Sequence, residues 1–425
     1  MTRPRKVTSG AFSIFGLRDD IRRRYAPPMH FLLRLVVAAT CLIWSAGAAM
    51  ATPLILVSID GLRSDDLDRG ITPNLSALAA QGVRAPMHPS FPAKTYPNHY
   101  AMVTGLRPDR SGMVDNAIQD PAIPGVTFKT ADRSTVRDRR WWDQAEPTWV
   151  TAERAGIVTA SMFWPGAEAA IQGVRPRYSP AFRMEMPAAA RVDQVLAWLD
   201  LPKARRPAFI TLYLDTVDTA GHRHGPGSPQ SMAAIRGVDA AVGRLRTGLR
   251  RRGIEPNLIV VSDHGMAATP PGQHISMDAI LPPTTYRALT MGAFVTLYPV
   301  RGKEARVAKA LTPRPHPRLQ CWPKAKIPAY LKYGRNPRVA PYVCLADVGW
   351  EVVSKAKPRT DLGDHGFDPY APDMTALFVA NGPGFRKAAR LHAFDNVHLY
   401  PLLARLLGVK ARPGDGNIAA FNLIR

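Results

Sequence analysis

The 425-residue chain predicts an α/β fold, with a central, mostly parallel β-sheet and helices on both faces. Three observations carry that prediction. Short apolar runs rich in β-branched residues recur along the chain, their apolarity is continuous, and amphipathic helical patterns lie between them. Continuous apolarity marks strands covered on both sides; a half-exposed sheet would alternate apolar with polar.

The N-terminal 51 residues stand apart from this pattern. Residues 29–51, MHFLLRLVVAATCLIWSAGAAMA, place Arg34 ahead of an apolar run and end in Ala49-Met50-Ala51, the small-residue form of an export-signal cleavage site. The run is short for a spanning helix, which favours a cleaved signal with Thr52 at the mature N-terminus and no stable membrane span afterwards. An uncleaved N-terminal anchor is the competing reading, and Met29 competes with Met1 as the start.

Residues 52–425 then read as one catalytic domain. Strands are expected at Leu54–Ile59, Ile157–Ser161, Phe209–Leu214, Leu258–Ser262, Phe294–Leu297 and Ala376–Val379. Thr72-Pro73 followed by NLSALAAQG has a capping residue, a proline in the first turn and a terminal glycine, so a helix follows the first strand. Further helices are expected over 188–199, 231–252 and 397–409. The segment 299–342 is dense in Pro and Lys/Arg with little periodicity, and reads as a basic insertion or lid, otherwise as a long surface loop.

Apolar residues make up 46% and charged residues 21%, which excludes a disordered or collagen-like chain. With three Cys and no C-x-x-C pair, neither a disulfide scaffold nor a zinc ribbon is expected. Cys321 and Cys344 remain after signal removal, either as a disulfide or as two separate thiols. The formal charge is +23, which suits a nucleic-acid binder, a membrane-surface protein or an enzyme for anionic substrates. Residues 1–51 hold eight Lys/Arg and two Asp, so the mature chain keeps 48 basic and 31 acidic residues, or +17.

Polar clusters sit where the expected strands end, which is where open α/β sheets bind ligands. They are Asp60-Gly61, FPAKTYPNHY at 91–100 with Asn116 beyond it, and LYLDTVDTAGHRHGP with Asp215, Asp218, His222 and His224. Asp263-His264-Gly265 and Gly363-Asp364-His365-Gly366 complete the set. Singly each has an ordinary explanation: a helix cap, a turn, or an i, i+4 salt bridge for Asp218 and His222. Together they offer enough imidazole nitrogen and carboxylate oxygen for two metals of the zinc type.

Four of these stretches resemble the nucleotide pyrophosphatase/phosphodiesterases of the alkaline phosphatase superfamily. They are SIDGLR (58–63), FPAKTYPNHYAMVTGLRPDRSGMVDN (91–116), the D-x-x-x-H of 218–222 and SDHGM (262–266), within a likeness spanning about residues 53–423. The resemblance implies an alkaline phosphatase-like sheet and two Zn2+, other divalent metals being alternatives. It implies Thr95 as a metal-activated nucleophile. Asp60, Asp263 and His264 would bind the zinc that activates it, and Asp218, His222 and His365 the second. Asn116 would hydrogen-bond a phosphoryl oxygen. Tyr96 and Tyr213 match aromatics that sandwich a nucleobase, with ordinary packing as the alternative. Lys94 would offset phosphate charge or stand solvated, and His99 and His224 read as supporting or structural residues.

The implied activity is hydrolysis of nucleotide phosphodiester or pyrophosphate bonds through a phospho-threonine, releasing nucleoside 5′-monophosphates. Gly-Phe-Asp-Pro at 366–369 departs from the commoner Gly-Tyr-Asp-Asn, which weakens inference about substrate fit. A headgroup-specific phosphodiesterase or a phosphomonoesterase of the same superfamily is the alternative. A sulfatase is disfavoured, because the Cys/Ser-x-Pro-x-Arg motif is missing. A basic anion-binding protein with a vestigial site is the remote alternative, and no nucleic-acid module is recognisable. The expected partner is a small anionic phosphodiester or nucleotide met outside the cytoplasm, in the periplasm or after secretion. Nothing in the sequence fixes the oligomeric state.

Overall fold

The computed structural model describes residues 52–312 and 316–421, so the export-signal expectation for 1–51 lies outside the described residues. The central sheet has strands β1 (Leu54–Ile59), β2 (Val83–His88), β3 (Thr159–Met162), β4 (Phe209–Leu214), β5 (Asn257–Val261), β6 (Ala376–Asn381), β7 (Ala389–Arg390) and β8 (Phe394–Asp395). Their order across the sheet is β7-β2-β6-β5-β1-β4-β3, with β8 also pairing β2. All but β6 run the same way; β6 is antiparallel to both β5 and β2. The mostly parallel sheet is as expected, while the direction of β6 was hidden, since a strand buried on both faces reads the same in either sense.

Two cores flank the sheet. Leu54 and Leu56 of β1 join a cluster with Met102, Trp142 and Leu402, while Ile55, Val57 and Ile59 join another with Leu75, Val195 and Val238. Alternation of side chains along one strand thus feeds both layers, each buried Leu, Ile or Val contributing about 1.5–3 kcal/mol relative to exposure. Helices α2 (Thr95–Thr104) and α6 (Leu399–Leu407) cover one face; α1 (Pro73–Gln81), α3 (Ala188–Leu199) and α5 (Pro229–Arg251) cover the other. Helix α5 begins at Pro229 because the Ser228 hydroxyl accepts the Ser231 N–H at 3.1 Å. Helix α4 (Thr216–His224) follows β4 directly.

The run at Phe294 departs from expectation. Phe294–Pro299 belongs to a separate antiparallel sheet of four strands, ordered Tyr286–Ala288, Phe294–Pro299, Tyr342–Ala346 and Leu319–Pro323, over a third core. The segment 299–342 is therefore not a structureless loop: it contributes the helix Glu304–Leu311, which buries Val307 and Leu311, and the strand Leu319–Pro323. Cys321 lies opposite Cys344 across this sheet, and the two form a disulfide. Farther on, the Asp109 carboxylate accepts the N–H groups of Gly334, Arg335 and Asn336, all near 2.9 Å. Among the described residues, no helix is long and apolar enough to cross a membrane.

Candidate active site

The polar side chains converge beyond the carboxyl ends of β1, β4 and β5. Asp60 follows β1 directly, and its backbone N–H donates to Leu214 O at 2.9 Å, locking it to the end of β4. Gly61 next to it has φ +71°, and a Cβ there would stand 3.1 Å from both Cα and Cβ of Asp218. The Gly61 N–H also donates to Asp263 Oδ1 at 3.2 Å, so one glycine joins three strand ends. Asp263 and His264 follow β5, Asp218 and His222 stand one turn apart on α4, and His365 comes from the loop after residue 364.

Three carboxylate oxygens in this cluster are buried without a hydrogen bond: Asp60 Oδ1, Asp218 Oδ1 and Asp263 Oδ2. Facing them are imidazole Nε2 atoms. His264 Nε2 is 2.9 Å from Asp263 Oδ2 and 3.5 Å from Asp60 Oδ1. His222 and His365 Nε2 are 3.5 and 3.6 Å from Asp218 Oδ1. All three rings commit Nδ1 to a backbone carbonyl: His264 to Gly265 (2.9 Å), His222 to Gly363 (2.8 Å) and His365 to Ala93 (2.7 Å). A carbonyl only accepts, so Nδ1 carries the proton and a neutral ring turns its Nε2 lone pair toward the carboxylates. Lone pairs facing lone pairs in a buried site call for cations between them.

Electrostatics agree at Asp60, Asp218 and His365, whereas Asp263 and His264, 2.9 Å apart, favour each other's charged forms. Burial, together with the charges of Asp263 and Asp218, pushes Asp60 well above the usual carboxylate range. Burial raises Asp218 too, against the pull of His222 and His264. Burial, with His264 and Lys94 beside it, drives His365 well below the usual imidazole range. The His264 and His365 rings stack 3.6 Å apart, a spacing that disfavours two imidazolium ions. Divalent cations would relieve every one of these conflicts, so the residues present fit a metal centre. The donor atoms fall into three groups among the described residues: Asp218 with His264 and His365, His222 with Asp364 and His365, and Asp60 with His99 and Asp263.

Thr95 opens helix α2, and its Oγ1 is 3.4 Å from His264 Nε2. The loop before it is built by Asn98, which accepts from Ser90 N (2.7 Å) and donates to the Pro92 and Lys94 carbonyls (both 2.9 Å). His99 accounts for both of its ring nitrogens, at Ser58 Oγ and Thr95 O (both 2.8 Å), and so supports the loop without a free ligand atom. Asn116 Oδ1 accepts the Tyr96 N–H at 3.0 Å, which leaves its amide NH2 for another acceptor in the cavity it lines.

That cavity, of about 480 Å3, is lined by Asp60, Thr95, Tyr96, Asn116, Tyr213, Asp218, His222 and His365 among others. The Tyr213 hydroxyl donates to Asp60 Oδ2 at 2.5 Å, so this tyrosine also orients a carboxylate. Lys94 is buried, so its solvated alternative does not hold; it is not among the residues lining the cavity, and its Nζ is 3.8 Å from Asp364 Oδ1. Asp364 itself accepts the His365 and Ala293 N–H groups (both 2.9 Å), which holds the His365 loop against the small sheet. His224 is exposed, and no residue of 299–342 lines the cavity. Sequence reasoning missed Arg133, Phe163, Trp164, Glu168 and Phe182, which line it from a five-residue helix (Arg133–Arg137) and from irregular segments, where no periodicity singles them out.

A mostly parallel sheet covered on both faces, with buried carboxylates and imidazoles gathered at its strand ends around a threonine, defines a metal-dependent hydrolase of the alkaline phosphatase-like fold. The sequence profile described as type I phosphodiesterase / nucleotide pyrophosphatase matches residues 54–368. The chain belongs to that family. It is 38% identical over 85% of its length to an uncharacterized pyrophosphatase/phosphodiesterase of Schizosaccharomyces pombe, covering 78% of that protein. It is 35% identical to a venom phosphodiesterase of Crotalus durissus collilineatus and 32% identical to mouse ectonucleotide pyrophosphatase/phosphodiesterase family member 1, over 87% of this chain in each case. It spans only 46% and 42% of those two proteins. Murine ectonucleotide pyrophosphatase/phosphodiesterase 5, solved as an inactive threonine-to-alanine variant in complex with AMP, superposes with a TM-score of 0.84 at 32% identity, covering 88% of this chain and all of that one.

Proposed function

We propose that the chain is an exported, two-zinc nucleotide pyrophosphatase/phosphodiesterase that releases nucleoside 5′-monophosphates through a phospho-threonine intermediate. The observation that carries this reading is the Thr95 hydroxyl, 3.4 Å from His264 Nε2 beside three buried carboxylate oxygens that lack partners. Asp60, Asp263 and His264 would hold one metal, and Asp218, His222 and His365 the other. Bound zinc would lower the pKa of the threonine hydroxyl and offset charge on the phosphoryl group.

Thr95 Oγ loses its proton and forms the bond to phosphorus as the bond to the leaving oxygen breaks. Water then attacks the same phosphorus from the opposite side, the Thr95 Oγ–P bond breaks and the hydroxyl regains a proton. The Asn116 amide donates to a phosphoryl oxygen as charge builds there, and Tyr96 N–H holds that amide in the donating orientation. Tyr213 keeps Asp60 in place. The murine relative solved with AMP lost activity when a threonine became alanine, which supports both a nucleotide ligand and a threonine nucleophile.

The test is hydrolysis of p-nitrophenyl thymidine 5′-monophosphate alongside glycerophosphocholine and a phosphomonoester. Turnover of the nucleotide diester is expected, lost on EDTA treatment and reduced on the order of 10⁴-fold or more in Thr95→Ala. Full activity in Thr95→Ala overturns the nucleophile, and preference for either other substrate overturns the nucleotide class.

A further inference from the structure

We propose that Arg191 is a positioning residue that fixes an aromatic slot, walled by Phe163, Phe182 and Tyr213, in which the nucleoside part of the substrate lies. The inference rests on the function proposed above. All three aromatic residues line the cavity, and Arg191 does not.

Arg191 sits in the first turn of α3 with its side chain only 2% exposed. Its guanidinium grips two separate pieces of chain. Nη1 donates to Tyr213 O (3.0 Å) and to Asp215 Oδ1 (2.7 Å), at the end of β4. Nε donates to Met186 O (2.9 Å) and Nη2 to Met184 O (3.1 Å), in the irregular loop that carries Phe182. The same guanidinium lies over the Phe163 ring at 5.2 Å and the Phe182 ring at 5.8 Å. One side chain therefore sets where the loop stands relative to the strand, by four hydrogen bonds and two ring contacts.

The loop needs such a clamp. Between β3 and α3 it has neither a helix nor a strand. Phe182 is also held by its N–H, which donates to Glu168 Oε1 at 3.0 Å, and by the Arg133 guanidinium, which lies over its ring at 5.4 Å; Glu168 is in turn paired with Arg133 and Arg137. Phe163 has φ +73°, a left-handed conformation that a bulky residue adopts only where its surroundings impose it. Its ring is held by Phe182 at 5.3 Å on one side and Arg191 on the other. A backbone conformation of this kind beside a cavity marks a wall that is held in place rather than one that settles there. Lysine could keep a charge near Asp215, but a single ammonium has no fork to span the strand and the loop together.

The experiment compares kcat and KM of wild type, Arg191→Met and Arg191→Lys on two esters. One is p-nitrophenyl thymidine 5′-monophosphate; the other is methyl p-nitrophenyl phosphate, whose methyl group is too small to reach the slot. Binding of thymidine 5′-monophosphate by calorimetry gives a readout independent of turnover. For Arg191→Met, KM for the nucleoside ester and Kd for the monophosphate are expected to rise about tenfold or more, with kcat on the methyl ester within roughly twofold of wild type. Arg191→Lys should fall between, and it decides the question in the same way if the methionine variant does not fold. Equal losses on both esters, or an unchanged KM and Kd for the nucleoside ligands, overturn the proposal. Tight monophosphate binding that depends on Arg191, without turnover of either ester, would keep the slot and sink the hydrolase reading instead.

Discussion

The proposed ligand cluster and the proposed aromatic slot face the same cavity from differently built supports. Asp60 and Asp263 stand within two residues of the ends of neighbouring parallel strands, and Asp218 and His222 on the helix that leaves a third. Those strands are held to one another by sheet hydrogen bonds and buried on both faces, so the positions of the carboxylates are set by the core itself. The slot has one wall, Tyr213, on the sheet, while Phe163 and Phe182 hang on a loop fixed by the side chains of Arg191 and Glu168. Damage to the first support should therefore appear in the chemical step, and damage to the second in substrate affinity. The nucleophile and Arg191 substitutions described above are the two ends of that contrast, with the largest and an intermediate effect expected.

Gly61→Ala tests the rigid end without removing any proposed ligand. The residue has φ +71° and its new Cβ would meet Asp218 Cα and Cβ at 3.1 Å, backbone included, so α4 has to move. The conformation alone costs roughly 1–2 kcal/mol for a residue with a side chain. A displacement of Asp218 by a few tenths of an ångström should lower kcat roughly tenfold. Steady-state kinetics with metal analysis and a thermal melt would check this. A variant with wild-type kcat and full metal content would show that the strand ends tolerate movement, and the contrast with the slot would collapse.

The same division explains what could be read beforehand. Asp60 and Asp263-His264 were legible because each follows an apolar strand run at once, and Asp218/His222 because they share an i, i+4 spacing shortly after another; a short-range pattern suffices to place them. His365 has no such strand before it; it stood out as part of the Gly363-Asp364-His365-Gly366 cluster, and the resemblance supplied its role as a ligand. Strand β2 went unread because its alternating, half-exposed pattern, with Pro86 inside, does not resemble the buried runs. The burial of Lys94 could not be read from the sequence because its partner, Asp364, is 270 residues away in the chain. Nothing in the helix expected over 188–199 singled out Arg191, since its partners at 184, 186, 213 and 215 meet it only in the fold.

A third region sharpens the comparison by leaving the cavity untouched. Cys321 and Cys344 join adjacent strands of the small antiparallel sheet, none of which lines the cavity. Replacing both by serine should lower stability by about 2–4 kcal/mol, chiefly by releasing the unfolded chain from a closed loop. The proposed chemistry should continue unchanged at temperatures where the variant stays folded. Denaturant titration paired with kcat/KM would check it. A loss of kcat without loss of stability would mean that the small sheet, through Ala293 and Asp364, helps hold the His365 loop.

The smallest effect belongs to surface charge. Arg301, Lys303, Arg306 and Lys309 are exposed around the helix Glu304–Leu311, which has only Glu304 to balance them. They line no part of the cavity, so their influence on an anionic substrate can act only through space. Neutralising all four to glutamine should lower kcat/KM a few-fold at low ionic strength and leave kcat alone, because the altered step is encounter. The difference should vanish near 1 M salt, where the screening length is about 3 Å. If kcat/KM were the same at both salt concentrations in wild type and variant, the chain's basicity would have no part in catalysis. Its excess of Lys and Arg would then need a reason outside the active site.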